Sequence, residues 1–341
     1  MTDRPLVIVA PHPRTLEMIF TPDALAAFRE RYELWETSGD EIAALPPERL
    51  AEARYLVGQP DLSADLLGAM TGLRAIVNVE GNFTDNMPYT ACFERGIHVL
   101  IASAVFAEPV AEMGLGMALA LHRSIASADA DFRAGREVWG LDGNGSARLL
   151  SGSRIGIVGF GDLGRAVNRL LAGFRAEVLA FDPWLPASVL RDHGVAPASL
   201  DEILRTCDTV FVTAAITAEN GHLFDAAAFA RMQPGAAFIL LSRAGIVDFP
   251  AMLEAARRGR IKVATDVFPE EPPTADDPAR STPNTLLSAH RAGALDVAFQ
   301  RMGDMLLDDL TLMDAGLPPA RLRRAERETV GRMRSKPVSK S

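Results

Sequence analysis

Cysteine, tryptophan and tyrosine are scarce in this chain of 341 residues, which contains 2 Cys, 3 Trp and 3 Tyr. Cys92 and Cys207 lie far apart and match no disulfide framework and no metal or redox spacing. They are therefore predicted to be reduced thiols in an apolar core. The sequence also contains no HExxH, paired CxxC or EF-hand pattern, and so it implies no metal site.

An excess of positive charge is also missing, because 44 acidic residues stand against 35 basic ones, for a formal net charge of −9. This balance argues against nucleic acid or an anionic membrane surface as the main partner. The N-terminus lacks the basic region and the apolar core of a signal peptide. No uninterrupted apolar run approaches the roughly 20 residues of a membrane span. We therefore expect a cytoplasmic protein.

The length indicates about two domains, and 48% of the residues are hydrophobic. Short apolar runs alternate with helical patterns, which predicts α/β architecture with parallel sheets. Strands are predicted at 6–10, 53–57, 73–79, 97–101, 155–158, 178–181, 209–213, 237–241, 262–266 and 286–289. Helices are predicted at 21–31, 105–123 and 295–315, with an irregular, glycine-containing excursion at 134–150. The composition beyond residue 326 lacks apolar periodicity and predicts a disordered tail at 327–341.

The most informative stretch lies near the middle of the chain. A predicted strand breaks at the glycines of a GxGxxG pattern, Gly159, Gly161 and Gly164, and an amphipathic helix and a second strand follow. In this context the glycines let the backbone approach a pyrophosphate at the helix N-terminus. Asp182 ends the second strand, about 20 residues on, where a carboxylate accepts the ribose hydroxyls of NAD. The next basic residue is Arg191, so we expect NAD rather than NADP.

Three polar residues follow later predicted strands, namely Arg243, Glu271 and His290. Ligands of open α/β sheets bind at the carboxyl ends of strands, so these side chains are expected to converge. Histidine exchanges a proton near neutral pH, a neighbouring carboxylate fixes its tautomer, and arginine presents a planar fork to a carboxylate or keto group. This combination suits the reduction of a 2-keto acid. Glu270 is an alternative to Glu271, which is preferred because it directly precedes Pro272.

The order of these motifs resembles that of the D-isomer-specific 2-hydroxyacid dehydrogenases over about residues 5–320. GNFTDNM at 81–87, PVAE at 109–112 and LSGSRIGIVGFG at 150–161 support the resemblance. It implies two Rossmann- or flavodoxin-like, doubly wound parallel-sheet domains, the nucleotide domain being inserted into the substrate domain. The substrate domain would comprise 1–102 with 293–326, and the NAD-binding domain 103–292. It also implies a homodimer.

The resemblance further implies roles for individual residues. Arg243 would bind the substrate carboxylate and carbonyl, His290 would be the general acid/base, and Glu271 would be its partner. The backbone amides of Gly81 and Asn82 would hold the substrate carboxylate. The residues that would bind the cofactor are Gly159, Gly161, Asp162, Leu163, Gly164, Asp182, Ala214, Ser242, Asp266 and Gly293.

Features of the first domain bear on the substrate. Phe83 is bulkier than the glycine usual in the family and is expected to limit substrate size. The loop at 80–84 contains no basic residue, which favours a non-phosphorylated acid. Trp139 is interpreted as a packing residue, although in some relatives an aromatic residue from this region reaches the partner subunit's active site.

Three functions stay open at this stage. The leading hypothesis is an NAD-dependent dehydrogenase that acts as a 2-keto acid or glyoxylate reductase. Relatives that oxidise formate have Gln where this chain has Glu271, which argues against that activity. The third hypothesis is a dinucleotide-sensing scaffold, like the corepressors that share this fold. Those proteins keep all three polar residues, so the sequence does not distinguish such a scaffold from an enzyme.

Overall fold

A computed structural model describes residues 4–333 of the chain. The chain divides into two compact units. Unit 1 comprises the residues up to Phe106 together with those from Ala294 onwards, and unit 2 comprises Ala107–Gly293. The boundaries expected from sequence, after residues 102 and 292, lie within four residues of these. The predicted α/β class, with one parallel-sheet domain inserted into another, is confirmed.

The strands and helices of the described residues are numbered in chain order. The strands are β1 (Leu6–Ala10), β2 (Glu33–Glu36), β3 (Ala53–Gly58), β4 (Ala75–Asn78), β5 (His98–Ile101), β6 (Arg154–Val158), β7 (Glu177–Phe181), β8 (Ala196–Pro197), β9 (Thr209–Val212), β10 (Ala236–Leu240), β11 (Ile261–Thr265), β12 (Thr285–Leu287) and β13 (Arg323–Arg324). The helices are α1 (Leu16–Ile19), α2 (Pro22–Arg31), α3 (Pro47–Glu52), α4 (Ala64–Ala69), α5 (Tyr89–Glu94), α6 (Ala107–His122), α7 (Ile125–Arg133), α8 (Asp162–Leu171), α9 (Ala187–Asp192), α10 (Leu200–Thr206), α11 (Ala226–Arg231), α12 (Phe249–Arg257), α13 (Asp296–Asp314) and α14 (Arg327–Val330).

Unit 1 is built on a six-stranded sheet in the order β13-β5-β4-β3-β1-β2, parallel except for β13. Both faces of this sheet are covered. Val7 and Val9 of β1 pack in one apolar core, and Leu6 and Ile8 pack in the other. Burial on both faces explains why the strands are continuous apolar runs rather than alternating ones.

Unit 2 is built on a seven-stranded parallel sheet in the order β12-β11-β10-β9-β6-β7-β8. The chain starts at β6 near the middle, winds outwards through β7 and β8, and then returns to β9 on the other side. The strand order therefore reverses between β6 and β9. Such a reversal opens a crevice at the carboxyl ends of the strands, where ligands of doubly wound sheets bind.

Helix α6 packs closely against the sheet of unit 2. A Cβ added to Gly114 would lie 2.4 Å from Leu241 Cδ1, so a larger residue there would require the Leu241 side chain to move. By length and composition alone, Ser103–His122 could cross a membrane, with a mean hydropathy of 1.4. Helix α6 instead contacts α8, β10 and β11, as a core helix of a parallel sheet does.

The expectation of a disordered tail from residue 327 is wrong for residues 327–333. Strand β13 pairs antiparallel with β5, and helix α14 follows it. Val330 is buried, and the Arg327 guanidinium carbon lies 5.3 Å from the centre of the Phe93 ring. These long-range contacts leave no periodic pattern in the sequence, which is why composition missed them. Residues 334–341 lie outside the described residues.

Candidate active site

Unit 2 brings the three predicted polar residues to one edge of its sheet. Arg243 follows β10, Glu271 lies in the loop after β11, and His290 follows β12. These three strands are parallel neighbours, in the order β12-β11-β10. Their carboxyl ends therefore lie side by side, as the strand-end argument predicts.

His290 and Glu271 are in direct contact. Imidazole Nδ1 lies 2.6 Å from Glu271 Oε2. An ionised carboxylate can only accept, so the proton of this hydrogen bond belongs to Nδ1, and Nε2 is the nitrogen left for other partners. Glu271 Oε1 accepts from the backbone N–H of Phe268 at 2.9 Å, which holds the carboxylate in place. Glu271 rather than Glu270 is thus the residue that orients the imidazole.

Arg243 lies half-buried where β10 leaves the sheet. Its Nη1 donates to its neighbour's carbonyl, Ser242 O, at 2.7 Å. The hydroxyl oxygen of Ser242 is buried and has no hydrogen-bond partner among the described residues. A buried hydroxyl without a partner is costly, so this position suits contact with a bound ligand.

Asp266 has a role that the resemblance did not indicate. The resemblance implies that Asp266 binds the cofactor; in the structure Asp266 is only 2% exposed, and both of its carboxylate oxygens accept backbone hydrogen bonds. Oδ1 accepts from Arg291 N and Oδ2 from Ala292 N, each at 2.9 Å, while the Asp266 carbonyl accepts from His290 N. His290 itself has a φ of 50°, an unfavourable backbone conformation for a residue other than glycine. Asp266 therefore fixes the backbone of residues 290–292, and with it the position of the imidazole; we call this set of hydrogen bonds the Asp266 clamp. Gly293 directly follows it.

The glycine turn packs too closely for any side chain. Gly159 has a φ of 91°, and a Cβ there would lie 2.4 Å from Ala214 Cα. A Cβ on Gly164 would lie 2.3 Å from Gly159 O. Gly161 forms the N-cap of α8, so free backbone N–H groups and the positive end of the helix dipole lie at this turn.

Asp162 and Leu163 begin α8, with Leu163 packed partly against the core. Asp182 follows β7, the strand beside β6. Its Oδ2 accepts from Phe160 N at 2.7 Å and its Oδ1 from Trp184 N at 2.9 Å. Each carboxylate oxygen retains a second lone pair for a ribose hydroxyl. The glycine turn, the Asp182 carboxylate and the unpartnered Ser242 hydroxyl together fit NAD.

The loop that contains Gly81 and Asn82 lies in unit 1, at the carboxyl end of β4. Buried Asn78 holds it, because its Oδ1 accepts from Glu80 N at 2.6 Å and its Nδ2 donates to Asn82 O at 3.4 Å. The expectation that Phe83 limits substrate size is not supported by its position. Its ring is buried in the core of unit 1 and makes an edge contact with Tyr89, 6.5 Å between centroids.

Sequence reasoning missed Arg14, the positively charged residue that bonds to this loop. Arg14 follows β1, and its Nε donates to Val79 O at 2.9 Å while its Nη2 bonds Glu80 Oε2 at 3.0 Å. Its guanidinium carbon lies 4.4 Å from the centre of the Phe299 ring. The available signal was a polar residue just beyond a predicted strand, the same signal that identified Arg243.

No group of three or more His, Cys, Asp or Glu side chains in residues 4–333 could hold a metal ion. Cys92 and Cys207 are buried and unpaired. Burial raises the pKa of each thiol to about 11, so neither is a thiolate nucleophile at neutral pH.

Comparison with known proteins agrees with this arrangement. Residues 115–292 match the family described as D-isomer specific 2-hydroxyacid dehydrogenase, NAD binding domain. The chain is 28% identical over 316 residues to a D-3-phosphoglycerate dehydrogenase of Mycobacterium leprae, covering 92% of this chain and 58% of that protein. It is 28% identical to a glyoxylate reductase of Korarchaeum cryptofilum, covering 86% of this chain and 91% of that protein.

A solved structure of a phosphoglycerate oxidoreductase from Rhizobium etli is 56% identical, with a TM-score of 0.88, covering 96% of this chain and 100% of that one. The chain spans little more than half of the length of the curated phosphoglycerate dehydrogenases that it matches, 58% and 55% for two mycobacterial ones.

The Asp266 clamp predicts a specific defect in Asp266→Asn. The amide can accept one of the two backbone N–H bonds but offers a donor to the other, so the backbone at His290 loses its anchor. We expect keto-acid turnover to fall roughly tenfold or more, since loss of one hydrogen bond to a charged group costs about 1.5–3 kcal/mol. NADH affinity, followed by fluorescence titration, should change less than about twofold. Equal losses in turnover and NADH affinity would instead identify Asp266 as a cofactor ligand.

The position of Asp182 predicts the choice of cofactor. A 2′-phosphate would meet this carboxylate, and neither Pro183 nor Trp184 supplies a cation. The double variant Asp182→Ser, Pro183→Arg should raise the NADPH-to-NADH ratio of kcat/KM by roughly tenfold or more. Asp182→Ser alone is the control, because it removes the repulsion without adding a cation. A wild-type protein that used both cofactors equally well would contradict the assignment.

Proposed function

Because this chain belongs to the D-isomer-specific 2-hydroxyacid dehydrogenase family, with unit 2 as its NAD-binding domain, we propose that it reduces a small 2-keto acid to the D-2-hydroxy acid. The observation that carries this proposal is the 2.6 Å contact between His290 Nδ1 and Glu271 Oε2. Proton transfer needs an imidazole held in one tautomer, and a carboxylate bound to Nδ1 supplies it.

NADH, when bound, supplies the hydride that adds to the keto carbon. His290 gives a proton from Nε2 to the carbonyl oxygen, so that no free alkoxide accumulates. Glu271 stabilises the protonated imidazole before transfer and keeps the ring oriented afterwards. The Arg243 guanidinium binds the carboxylate and polarises the keto group. In the opposite direction, neutral His290 accepts the hydroxyl proton.

The substrate carboxylate is proposed to bind the backbone amides of Gly81 and Asn82. Asn78 and Arg14 hold this loop in place through hydrogen bonds to its backbone carbonyls. The conformational entropy of the loop is therefore lost when the protein folds rather than when the ligand binds. The Arg14 cation is already paired with Glu80. It is therefore not free to neutralise a phosphate, which supports a non-phosphorylated acid as the substrate.

A homodimer is proposed from the exposed apolar segment that follows α6. Six of the eleven exposed large apolar side chains in residues 4–333 belong to this segment: Ile125, Phe132, Val138, Trp139, Leu141 and Leu149. Leu141 is 87% and Trp139 75% exposed. Clustering of this kind marks an interaction site, and a second copy of this chain is the occupant that we propose. Trp139 would then contact the partner rather than its own core.

A cytoplasmic location is also proposed. Both cysteines are buried free thiols, which suits a reducing compartment.

Replacement of His290 tests the reaction. His290→Asn keeps the approximate size and polarity of the side chain but cannot exchange the proton, so kcat for keto-acid reduction should fall about 10²–10⁴-fold. Glu271→Gln should be milder, because it leaves the imidazole in place with a neutral partner. NADH absorbance with a keto-acid panel measures turnover, and fluorescence titration measures NADH binding. Near wild-type turnover in His290→Asn would refute the acid/base assignment. If the wild-type protein bound NADH but reduced none of the keto acids, a dinucleotide-sensing scaffold would be favoured.

Light scattering with size-exclusion chromatography tests the dimer. Replacing Trp139 and Leu141 with Ser should shift the mass towards the 36.7 kDa monomer, since loss of exposed aromatic and aliphatic anchors weakens an interface. Trp184→Ser is the matched control, because Trp184 is an exposed tryptophan outside this segment. A monomeric wild-type protein would contradict the proposal.

A further inference from the structure

The glycine turn between β6 and α8 is held by side chains from both neighbouring strands. In the sheet of unit 2, β6 lies between β9 and β7. From the β9 side, Thr213 Oγ1 donates to Gly159 O at 2.5 Å. From the β7 side, the Asp182 carboxylate accepts from Phe160 N at 2.7 Å. Both bonds therefore come from residues just beyond the carboxyl ends of the strands that flank β6.

These two bonds act on one peptide group. The carbonyl of Gly159 and the N–H of Phe160 belong to the same planar unit, which can rotate only as a whole. A hydrogen bond at each end fixes the orientation of that plane. The Thr213 hydroxyl has a single proton, and its other acceptor, Val158 O, is more distant at 3.2 Å. Gly159 O is therefore its principal acceptor.

This peptide needs an anchor because the residue before it is a glycine. Gly159 has a φ of 91°, a conformation that glycine adopts readily, and without a Cβ its backbone is not restrained by sterics. A larger residue is excluded, because a Cβ there would lie 2.4 Å from Ala214 Cα. The close packing at the turn thus requires a residue that leaves the turn conformationally free. The hydrogen bond from Thr213 offsets that freedom.

The orientation of this peptide determines where the amide groups of helix α8 lie. Phe160 is followed by Gly161, the N-cap of α8, and no side chain caps this helix within residues 4–333. The first N–H groups of a helix have no partner inside the helix, and at a glycine turn of this kind they bind a pyrophosphate. If the Gly159–Phe160 peptide were free to rotate, the turn would have to be ordered when the cofactor binds, which lowers affinity.

We propose that Thr213 is a positioning residue for the dinucleotide and acts through the glycine turn. Its hydroxyl and the Asp182 carboxylate together keep the Gly159–Phe160 peptide in the orientation that presents the amides of α8 to the pyrophosphate. Asp182 has this function in addition to the ribose contact expected of it. The inference concerns cofactor binding by unit 2 and does not depend on the proposed reduction of a keto acid.

NADH binding to Thr213→Ala and Thr213→Ser tests this role, because these variants differ by one hydroxyl group. The NADH Kd, measured by fluorescence titration, should rise about fivefold in Thr213→Ala, the usual effect of one neutral hydrogen bond. In Thr213→Ser it should stay within about twofold of the wild-type value. ADP-ribose, which contains the pyrophosphate but no nicotinamide, should lose the same factor in calorimetry. If Thr213→Ala is too unstable to titrate, Thr213→Val also lacks the donor and should weaken NADH binding at least as much.

Thr209→Ala is the matched control on the same strand. Thr209 is fully buried at the opposite end of β9, and its Oγ1 lies 2.6 Å from His122 Nε2. Losing that contact should lower the melting temperature without changing the NADH Kd. Equal increases in Kd in Thr209→Ala and Thr213→Ala would indicate general loosening of the sheet and would overturn the proposal. Wild-type affinity in Thr213→Ala, or equally weak binding in Thr213→Ser, would also overturn it.

Steady-state kinetics separate this inference from the proposed reaction. In Thr213→Ala the KM for NADH should rise by the same factor as the Kd, while kcat at saturating NADH stays within about twofold of the wild-type value. A lower kcat with unchanged NADH affinity would place Thr213 at the chemical step and overturn the positioning role. The expected differences in binding, in a protein that reduces no keto acid, would support the role of Thr213 and contradict only the proposed reaction.

Discussion

Parallel strands that are buried on both faces can present polar side chains only where they end, and the candidate functional residues of this chain obey that constraint. In unit 2 the glycine turn, Asp182, Arg243 and His290 all follow the carboxyl ends of strands. In unit 1 Arg14 follows β1 and the Gly81–Asn82 loop follows β4. The apolar cores on both faces hold the strands rigid, so the loops at one edge inherit defined positions from them.

Rigid strand ends are not enough to fix the orientation of a side chain in the following loop. In each unit, polar side chains also hydrogen-bond to the backbone of that loop. In unit 2 the Asp266 carboxylate accepts two backbone N–H groups just beyond His290 and so maintains an unfavourable φ. In unit 1 the Asn78 amide and the Arg14 guanidinium bind the backbone of the loop that follows β4. Such groups are stable inside a protein because nearly every donor and acceptor is satisfied. Ser242 Oγ, just beyond β10, is an exception, because it has no partner among the described residues.

The three parts of the proposed site depend on different kinds of interaction. The cofactor site uses backbone geometry, since the close approaches at Gly159 and Gly164 exclude any side chain. The proposed chemical step depends on side-chain geometry, because the carboxylate of Glu271 holds His290 Nδ1 at 2.6 Å. At the proposed substrate loop, the positive charge of Arg14 is balanced by Glu80 within the protein itself. Substrate selection can thus change through unit 1 residues while the proton chemistry of unit 2 stays the same.

The sequence patterns were enough to predict the α/β class, the glycine turn and the strand-end positions of Arg243, Glu271 and His290, while the insertion of one domain into another was implied by the family resemblance. These predictions succeed because they depend on short-range patterns, such as apolar periodicity and the spacing of glycines within a single β-α-β unit. Only the tertiary structure revealed that Arg14 bonds Glu80, 66 residues away, and that Asp266 bonds the backbone 25 and 26 residues further on. It also placed Phe83 in the core and formed helix α14 at Arg327–Val330. A contact between distant residues depends on how the whole sheet brings their strand ends together, and no local pattern encodes that distance.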